Sequence, residues 1–334
     1  MHTPEAPVAH GRTPVTCAAA FALMALFLPA SASAGALSTS VIGLFPKNVN
    51  EFAYADLKSA RKLKWFPQLK EQMLPSRFRQ FEEFLSSAGI DPNTQVEELA
   101  WALQAPTPTT GEMILGVALG QFNPGAAEDY FKAQKLPLTR LRGYTLFAYG
   151  SGAGANDIFF FFLDSNTAAF GHRSALEHLI EVRFGSEESL LRNDFLFPLI
   201  NEANGRGLVW AVLDPTYARI GVNQLVPEAA QFPDAATLLE KILAMTIRVE
   251  AESGVDASFQ AVCTSPDEAN VFAALLQAGI LYRKYQVTQT NPDLGKVLDD
   301  VRVTPRGDRL DVRMSLTEET LLTLIRRQTF AIRM

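Results

Sequence analysis

Over residues 255–263 and 309–316, apolar and polar side chains alternate with a period of two. Val255, Ala257, Phe259, Ala261 and Cys263 fall on one side, with Asp256, Ser258 and Gln260 on the other. Leu310, Val312, Met314 and Leu316 oppose Asp311, Arg313 and Ser315 in the same way. Successive side chains of a strand point to opposite faces, so the pattern predicts antiparallel strands with one face buried and one solvated. The first half of the chain breaks this rule. Phe159 and Phe161 oppose Phe160 and Phe162, and Leu146 and Ala148 oppose Phe147 and Tyr149. Met113, Leu115, Val117 and Leu119 oppose Ile114, Gly116 and Ala118. These strands need cover on both faces, since leaving a Phe bare forgoes roughly 1.5–3 kcal/mol per side chain. A helix over 75–88, with Phe78, Phe81, Leu85 and Ala88 on one side and Gly89 as its stop, supplies one intramolecular cover. The alternative cover is a ligand or a partner. That alternative makes Phe147, Phe159, Phe160, Phe161 and Phe162 the candidate ligand-binding face.

The remaining signals fall into a repeating order. Strands are predicted over 96–104, 112–119, 144–149 and 157–163, with a short one at 168–171; further strands are predicted over 242–252, 255–264, 301–304 and 309–316. Asn123-Pro124, Ser265-Pro266 and Thr317 read as helix starts, as does Ser174 with Glu177 three residues on. The Ser174 helix shows an apolar face of Leu176, Leu179, Ile180 and Phe184; the Ser265 helix shows Phe272, Leu275, Leu276 and Gly279. Short strands at 52–57 and 208–213 precede irregular, partly helical stretches. The predicted fold class is therefore α+β, as two similar halves (35–190 and 191–334), each with antiparallel β-hairpins and helices in the order ββαββα.

Three features, namely the order of elements, the Gly-Ile-Asp-Pro at 89–92 after an amphipathic helix, and the late Thr-Pro-Arg-Gly-Asp-Arg-Leu hairpin at 304–310, resemble a group of uncharacterised exported bacterial proteins built from two such halves. The resemblance spans most of the chain after residue 34. It implies export and a duplicated architecture, and it brings no catalytic residue with it.

Residues 1–34 read as a cleavable signal peptide: Arg12 before an apolar run from Val15 to Leu28, then Pro29 and the small-residue site Ala32-Ser33-Ala34. The apolar run falls well short of the ~20 residues that a bilayer core requires, and Cys17 within it has no lipidation box. The expected location is the periplasm or the medium. After cleavage only Cys263 remains, at an apolar strand position, so no intramolecular disulfide is expected. A net charge of −6 with no Lys/Arg cluster to match a polyanion argues against nucleic acid and an anionic membrane surface, and no later stretch reads as a membrane span.

Catalytic patterns are sparse. His172 and His178 are the two histidines beyond the leader, and no His-x-x-x-His or Cys-x-x-Cys spacing occurs, so neither a metal site nor a cofactor is expected. Glu177 and Glu181 beside them leave a two-His, one-carboxylate site as the weaker reading. Gly150-Ser151-Gly152-Ala153-Gly154 lies between two strands and reads as a hairpin loop; no helix or Lys-Ser/Thr follows to make it a nucleophile elbow or phosphate cradle. Arg306-Gly307-Asp308 reads as turn chemistry. Glu250 with Glu252, and Asp299 with Asp300, read as solvated faces. The sequence thus points to an exported non-catalytic binding or scaffold protein, with a protein partner or an apolar small molecule as occupant. The alternatives are an extracytoplasmic hydrolase using carboxylates and a carrier of an apolar ligand.

Overall fold

A computed structural model describes residues 36–74, 76–106, 111–154, 157–225, 237, 239–251, 254–289, 292–327 and 329. The expected leader, 1–34, lies outside the described residues, as do Pro75, Glu252 and Ser253. The chain is α+β, built on one antiparallel sheet. Its strands are β1 (Glu51–Asp56), β2 (Val96–Gln104), β3 (Met113–Gly120), β4 (Leu138–Leu141), β5 (Tyr144–Tyr149), β6 (Ile158–Phe162), β7 (Thr167–Gly171), β8 (Val209–Leu213), β9 (Ile242–Glu250), β10 (Gly254–Cys263), β11 (Arg302–Arg306) and β12 (Arg309–Thr317). They lie in the order β11-β12-β10-β9-β8-β1-β2-β3-β7-β6-β5-β4. The two short strands β1 and β8 pair at the centre, so the sheet runs without a break from one half of the chain to the other.

The helices are α1 (Thr39–Ile42), α2 (Leu57–Ala60), α3 (Phe66–Met73), α4 (Ser76–Ser87), α5 (Pro92–Gln95), α6 (Pro124–Ala133), α7 (Arg173–Arg183), α8 (Leu196–Ala203), α9 (Pro215–Leu225), α10 (Pro266–Thr288), α11 (Pro292–Asp299) and α12 (Glu318–Arg326). Three expected caps form: the side chains of Asn123, Ser265 and Thr317 accept from Ala126, Glu268 and Thr320 backbone N–H groups. The fourth does not. α7 starts at Arg173 with His172 as its N-cap, and the ring Nδ1 instead accepts from the Ile114 N–H at 3.2 Å. Phe184, expected on the buried face of α7, is 55% exposed. It sits past the last turn, where the chain reverses at Gly185 (φ +74), and the Arg142 guanidinium stacks over its ring.

The order ββαββα does not describe the first half. An additional edge strand, β4, pairs with β5, so four strands separate α6 from α7 and the hairpin β4–β5 extends the sheet beyond β6. The second half has no such extension among the described residues.

Layering follows the binary pattern. One face of the sheet is covered from β5 across to the second half: by α4 and α6 at the first-half end, α2 and α3 near the centre, and α9 to α12 over the second half; Leu138 on edge strand β4 stays 39% exposed. The opposite face is covered at the first half and centre by residues 37–49, α7 and α8. Beyond β9 that face is polar. It carries Asp256, Ser258 and Gln260, and a network in which Arg309 reaches Glu202 (3.0 Å) and the Gln260 amide oxygen (2.6 Å). Strands apolar on both sides are sandwiched between helices, and alternating strands keep one wet face. On the first of these faces one row of cross-strand neighbours crosses every strand: Leu138, Phe147, Phe160, Phe170, Gly116, Trp101, Ala53, Ala211, Ile247, Phe259, Val312 and Val303.

Candidate functional site: an apolar cavity beneath α3 and α4

The segment after β1 builds one wall of the site. Asp56 caps α2 by accepting from the Ser59 N–H at 2.8 Å. Pro67 occupies the first turn of α3, where its missing N–H removes nothing from the helix. Phe66, Leu69 and Met73 then recur at helical spacing and are buried. Gln72 on α3 donates to the Ile325 carbonyl of α12 at 2.6 Å, which ties this wall to the second half. α4 builds the other wall. Its Phe81 lies over β5, β6 and β7, with ring centres 5.3 Å from Tyr149 and 6.4 Å from both Phe160 and Phe170. Gly89, at φ +77, lets the chain turn away from α4.

The walls do not close on the sheet. Between them and β3, β7 and β6 lies an apolar cavity of about 150 Å³, continuing into an open mouth with about 1040 Å³ of empty space in all. Its floor is Ala118, Ala168, Phe160, Phe162 and Phe170; its walls include Leu57, Phe66, Leu74, Phe78, Phe81, Leu85 and Ile90. Ala118 and Ala168 are direct cross-strand partners, so two methyl groups side by side leave the floor low. A hollow of this size lined mainly by Leu, Ile and Phe has room for a small apolar group.

The polar groups stand at the rim. Lys70 is committed: its ammonium donates to both oxygens of Glu82 (2.7 and 2.9 Å) and to Asn93 Oδ1 (2.7 Å). Arg61 donates from one Nη to the Val96 carbonyl at 2.6 Å and makes no ion pair among the described residues. The stretch 57–70 contains Lys58, Arg61, Lys62, Lys64 and Lys70 and no carboxylate, in a chain whose net charge is −6. Of these, Arg61 and Lys70 line the cavity, Lys58 pairs with Glu97, and Lys62 and Lys64 are exposed; sequence reasoning did not single out Arg61.

Of the five phenylalanines singled out from the sequence, Phe160 and Phe162 line the cavity. Phe147 is buried beneath α6, with its ring 4.8 Å from Phe131. Phe159 and Phe161 point to the opposite face and pack in the core that holds α7 and α8. One strand therefore serves two cores.

Other groups that sequence motifs single out find separate partners. Glu177 pairs with Arg173, Glu181 with Arg142 and His178 with Glu187, so these groups diverge from His172. No group of three His, Cys, Asp or Glu suited to a metal occurs among the described residues. Asp157 organises the 150–154 loop, its Oδ2 accepting from the N–H groups of Gly152 (2.7 Å) and Gly154 (2.9 Å) and from the Ser151 hydroxyl (3.0 Å). Partial desolvation works upward on the Asp157 carboxyl, but these hydrogen bonds outweigh it and hold the group below the usual range. Gly307 (φ +62) lies in the tight turn of the β11–β12 hairpin. Asp299 pairs with Lys284. Cys263 is buried, and desolvation first, then Asp308 and Glu268, push its thiol up to about 11.

A carboxylate that no sequence motif marks, Glu51, lies at the start of β1. Glu51 is wholly buried, accepts from Trp101 Nε1 at 3.3 Å, and leaves its second oxygen without a partner. Desolvation is the main cause that raises its carboxyl to about 8, with smaller upward contributions from Glu112 and Asp214. Around it, Tyr217 donates to Glu112 at 2.5 Å and Asn50 to Asp214 at 2.5 Å.

No protein-family model matches the chain, and no curated protein matches it in sequence. A solved structure, "Structure of crystal form I of TP0453", is similar with a TM-score of 0.47 and 11% sequence identity, over 90% of this chain and 99% of that one.

Proposed function

We propose that this protein is a non-catalytic binder that takes an apolar molecule into the cavity beneath α3 and α4. The observation that carries this reading is a largely apolar cavity of about 150 Å³ whose charged lining residues are three, Arg61, Lys70 and Glu82. Ligand sites are typically concave and apolar with a few polar groups that fix orientation. Glu82, the carboxylate in the lining, is bound to Lys70, and the carboxyl with a strongly raised value, Glu51, is wholly buried away from the cavity.

The test uses a neutral apolar dye, Nile red, titrated into the purified protein. Saturable binding is expected, and Ala118→Leu, which raises the floor of the cavity, should abolish it while leaving the circular-dichroism spectrum unchanged. No saturable binding to the parent protein, or undiminished binding to the folded variant, would overturn the reading.

Residues 1–34 acting as a cleaved leader, with the mature protein in the periplasm or the medium, complete the proposal; its support is the apolar run 15–28 followed by Ala32-Ser33-Ala34. We further propose that 35–190 and 191–334 are copies of one unit. Outward from the central β1–β8 pair, β1-β2-β3-β7-β6 and β8-β9-β10-β12-β11 follow the same path. The hairpin β4–β5 is then an insertion in the first copy.

A further inference from the structure

We infer that the occupant of the cavity is a single-chain amphiphile with an anionic head of oxygen atoms, a carboxylate or a phosphate, and that Arg61 binds that head. The inference rests on the reading of the cavity as an apolar binding site and adds the chemistry of its mouth.

Two cations, Arg61 and Lys70, line the cavity. Lys70 is neutralised by Glu82, which receives two hydrogen bonds from its ammonium. Arg61 has no carboxylate partner among the described residues, and its single protein acceptor is the Val96 carbonyl at 2.6 Å. That bond holds the guanidinium at the rim and occupies one of its five donors. The others remain for a ligand in the fork geometry that matches a carboxylate or phosphate. Arg61 is partly buried, so its bonds to an anion are less screened there than on an open surface. Lys62 and Lys64, both exposed, add positive charge beside it. The rest of the lining supplies the complement: apart from Arg61, Lys70, Glu82 and Asn93, the described lining residues are Leu, Ile, Val, Phe, Ala and Pro, which suit an alkyl tail rather than a sugar. An apolar tail inward with an anionic head on Arg61 satisfies both halves of the site. A neutral apolar molecule would leave the guanidinium without a counter-charge.

Competition against bound Nile red, using dodecanoate, dodecyl phosphate and 1-dodecanol as matched competitors, tests this. At least one of the two anions should compete on the order of tenfold more tightly than the alcohol, and which of them does so identifies the head. With competition referred to each protein's own affinity for Nile red, Arg61→Gln should bring that anion to the level of the alcohol, and Arg61→Lys, which keeps the charge but not the fork, should restore part of the preference. Equal competition by all three in the parent protein overturns the assignment and leaves the apolar site standing. An anion preference that survives Arg61→Gln overturns it also. If Nile red itself does not bind, the underlying reading fails, and a direct calorimetric titration with dodecanoate showing no heat removes the inference with it.

Discussion

Phe81 of α4 meets Phe160 of β6 edge to face, with ring centres 6.4 Å apart. This contact joins the helix that a periodicity of 3.6 predicts to the strand whose two apolar faces demand a cover. Phe81→Asp puts a carboxylate into that junction and is expected to destabilise the protein by several kcal/mol, the scale for an unpaired charge in a core. Phe81→Leu should lose only about 1–2 kcal/mol. Urea unfolding of the two variants measures the difference; equal midpoints would show that α4 is not packed on the sheet in solution.

Gly116 and Phe170 are cross-strand partners, and a Cβ added at Gly116 would lie 2.1 Å from Phe170 Cζ. The ring lies across the glycine because nothing projects from it. Gly116→Val is expected to drive the ring toward the cavity, at a cost of about 1–3 kcal/mol from overpacking. Dye affinity should fall with it. A variant as stable as the parent, with unchanged dye binding, would contradict the geometry.

The buried carboxyl of Glu51 makes stability depend on pH in a definite direction. Its folded value, about 8, lies above the ordinary 4.5. Between these values the folded state keeps a proton that the unfolded state has lost. Its contribution is therefore fully present below pH 4.5 and declines as pH rises toward 8, by about 1.4 kcal/mol per pH unit. Glu51→Gln, which cannot ionise, should remove this slope and be relatively more stable at pH 8 than at pH 5. Denaturant midpoints at pH 5, 6.5 and 8 compare the two proteins; parallel profiles would mean that Glu51 titrates normally.

Asp157 closes the glycine-rich loop through three hydrogen bonds. Asp157→Ala should free residues 150–154 and make them the first site of limited proteolysis. The global melting temperature should fall by only a few degrees, since exposed hydrogen bonds of this kind contribute about 1 kcal/mol each at most. Cleavage elsewhere first would show that the loop is held by other contacts.

Much of the local structure was legible because its causes are local. The alternation in β10 and β12, the caps at Asn123, Ser265 and Thr317, and the apolar face of α4 depend on neighbours a few residues away. The central pairing of β1 with β8 left no trace, since nothing near Ala53 specifies Ala211 as its partner. β4 was missed because Leu138-Thr139-Arg140-Leu141 is a short edge strand with too little burial to impose a pattern. Two of the five residues of the cavity floor, Phe160 and Phe162, were visible as surplus apolar surface. The opposite wall was not, because α2 spans four residues and the Phe66, Leu69, Met73 spacing of α3 fills only about two turns, and Arg61 acquires meaning only when its bond to the Val96 carbonyl sets it beside the cavity.

The central position of β1 also sets a timetable. All six of its residues are buried in the finished fold, yet one of its two neighbours, β8, lies far downstream; Asn50 and Asp214, which are hydrogen-bonded at the end of this pair, are 164 positions apart. Because the chain emerges N-terminus first, β1 waits for its second partner until β8 has followed it. During that interval it is an apolar edge with a row of unpaired N–H and C=O groups, open to pairing with another nascent chain. The first half therefore cannot reach its final state before the second has been made. A chaperone that shields β1 would be expected to raise the yield of folded protein more than any change to the later strands.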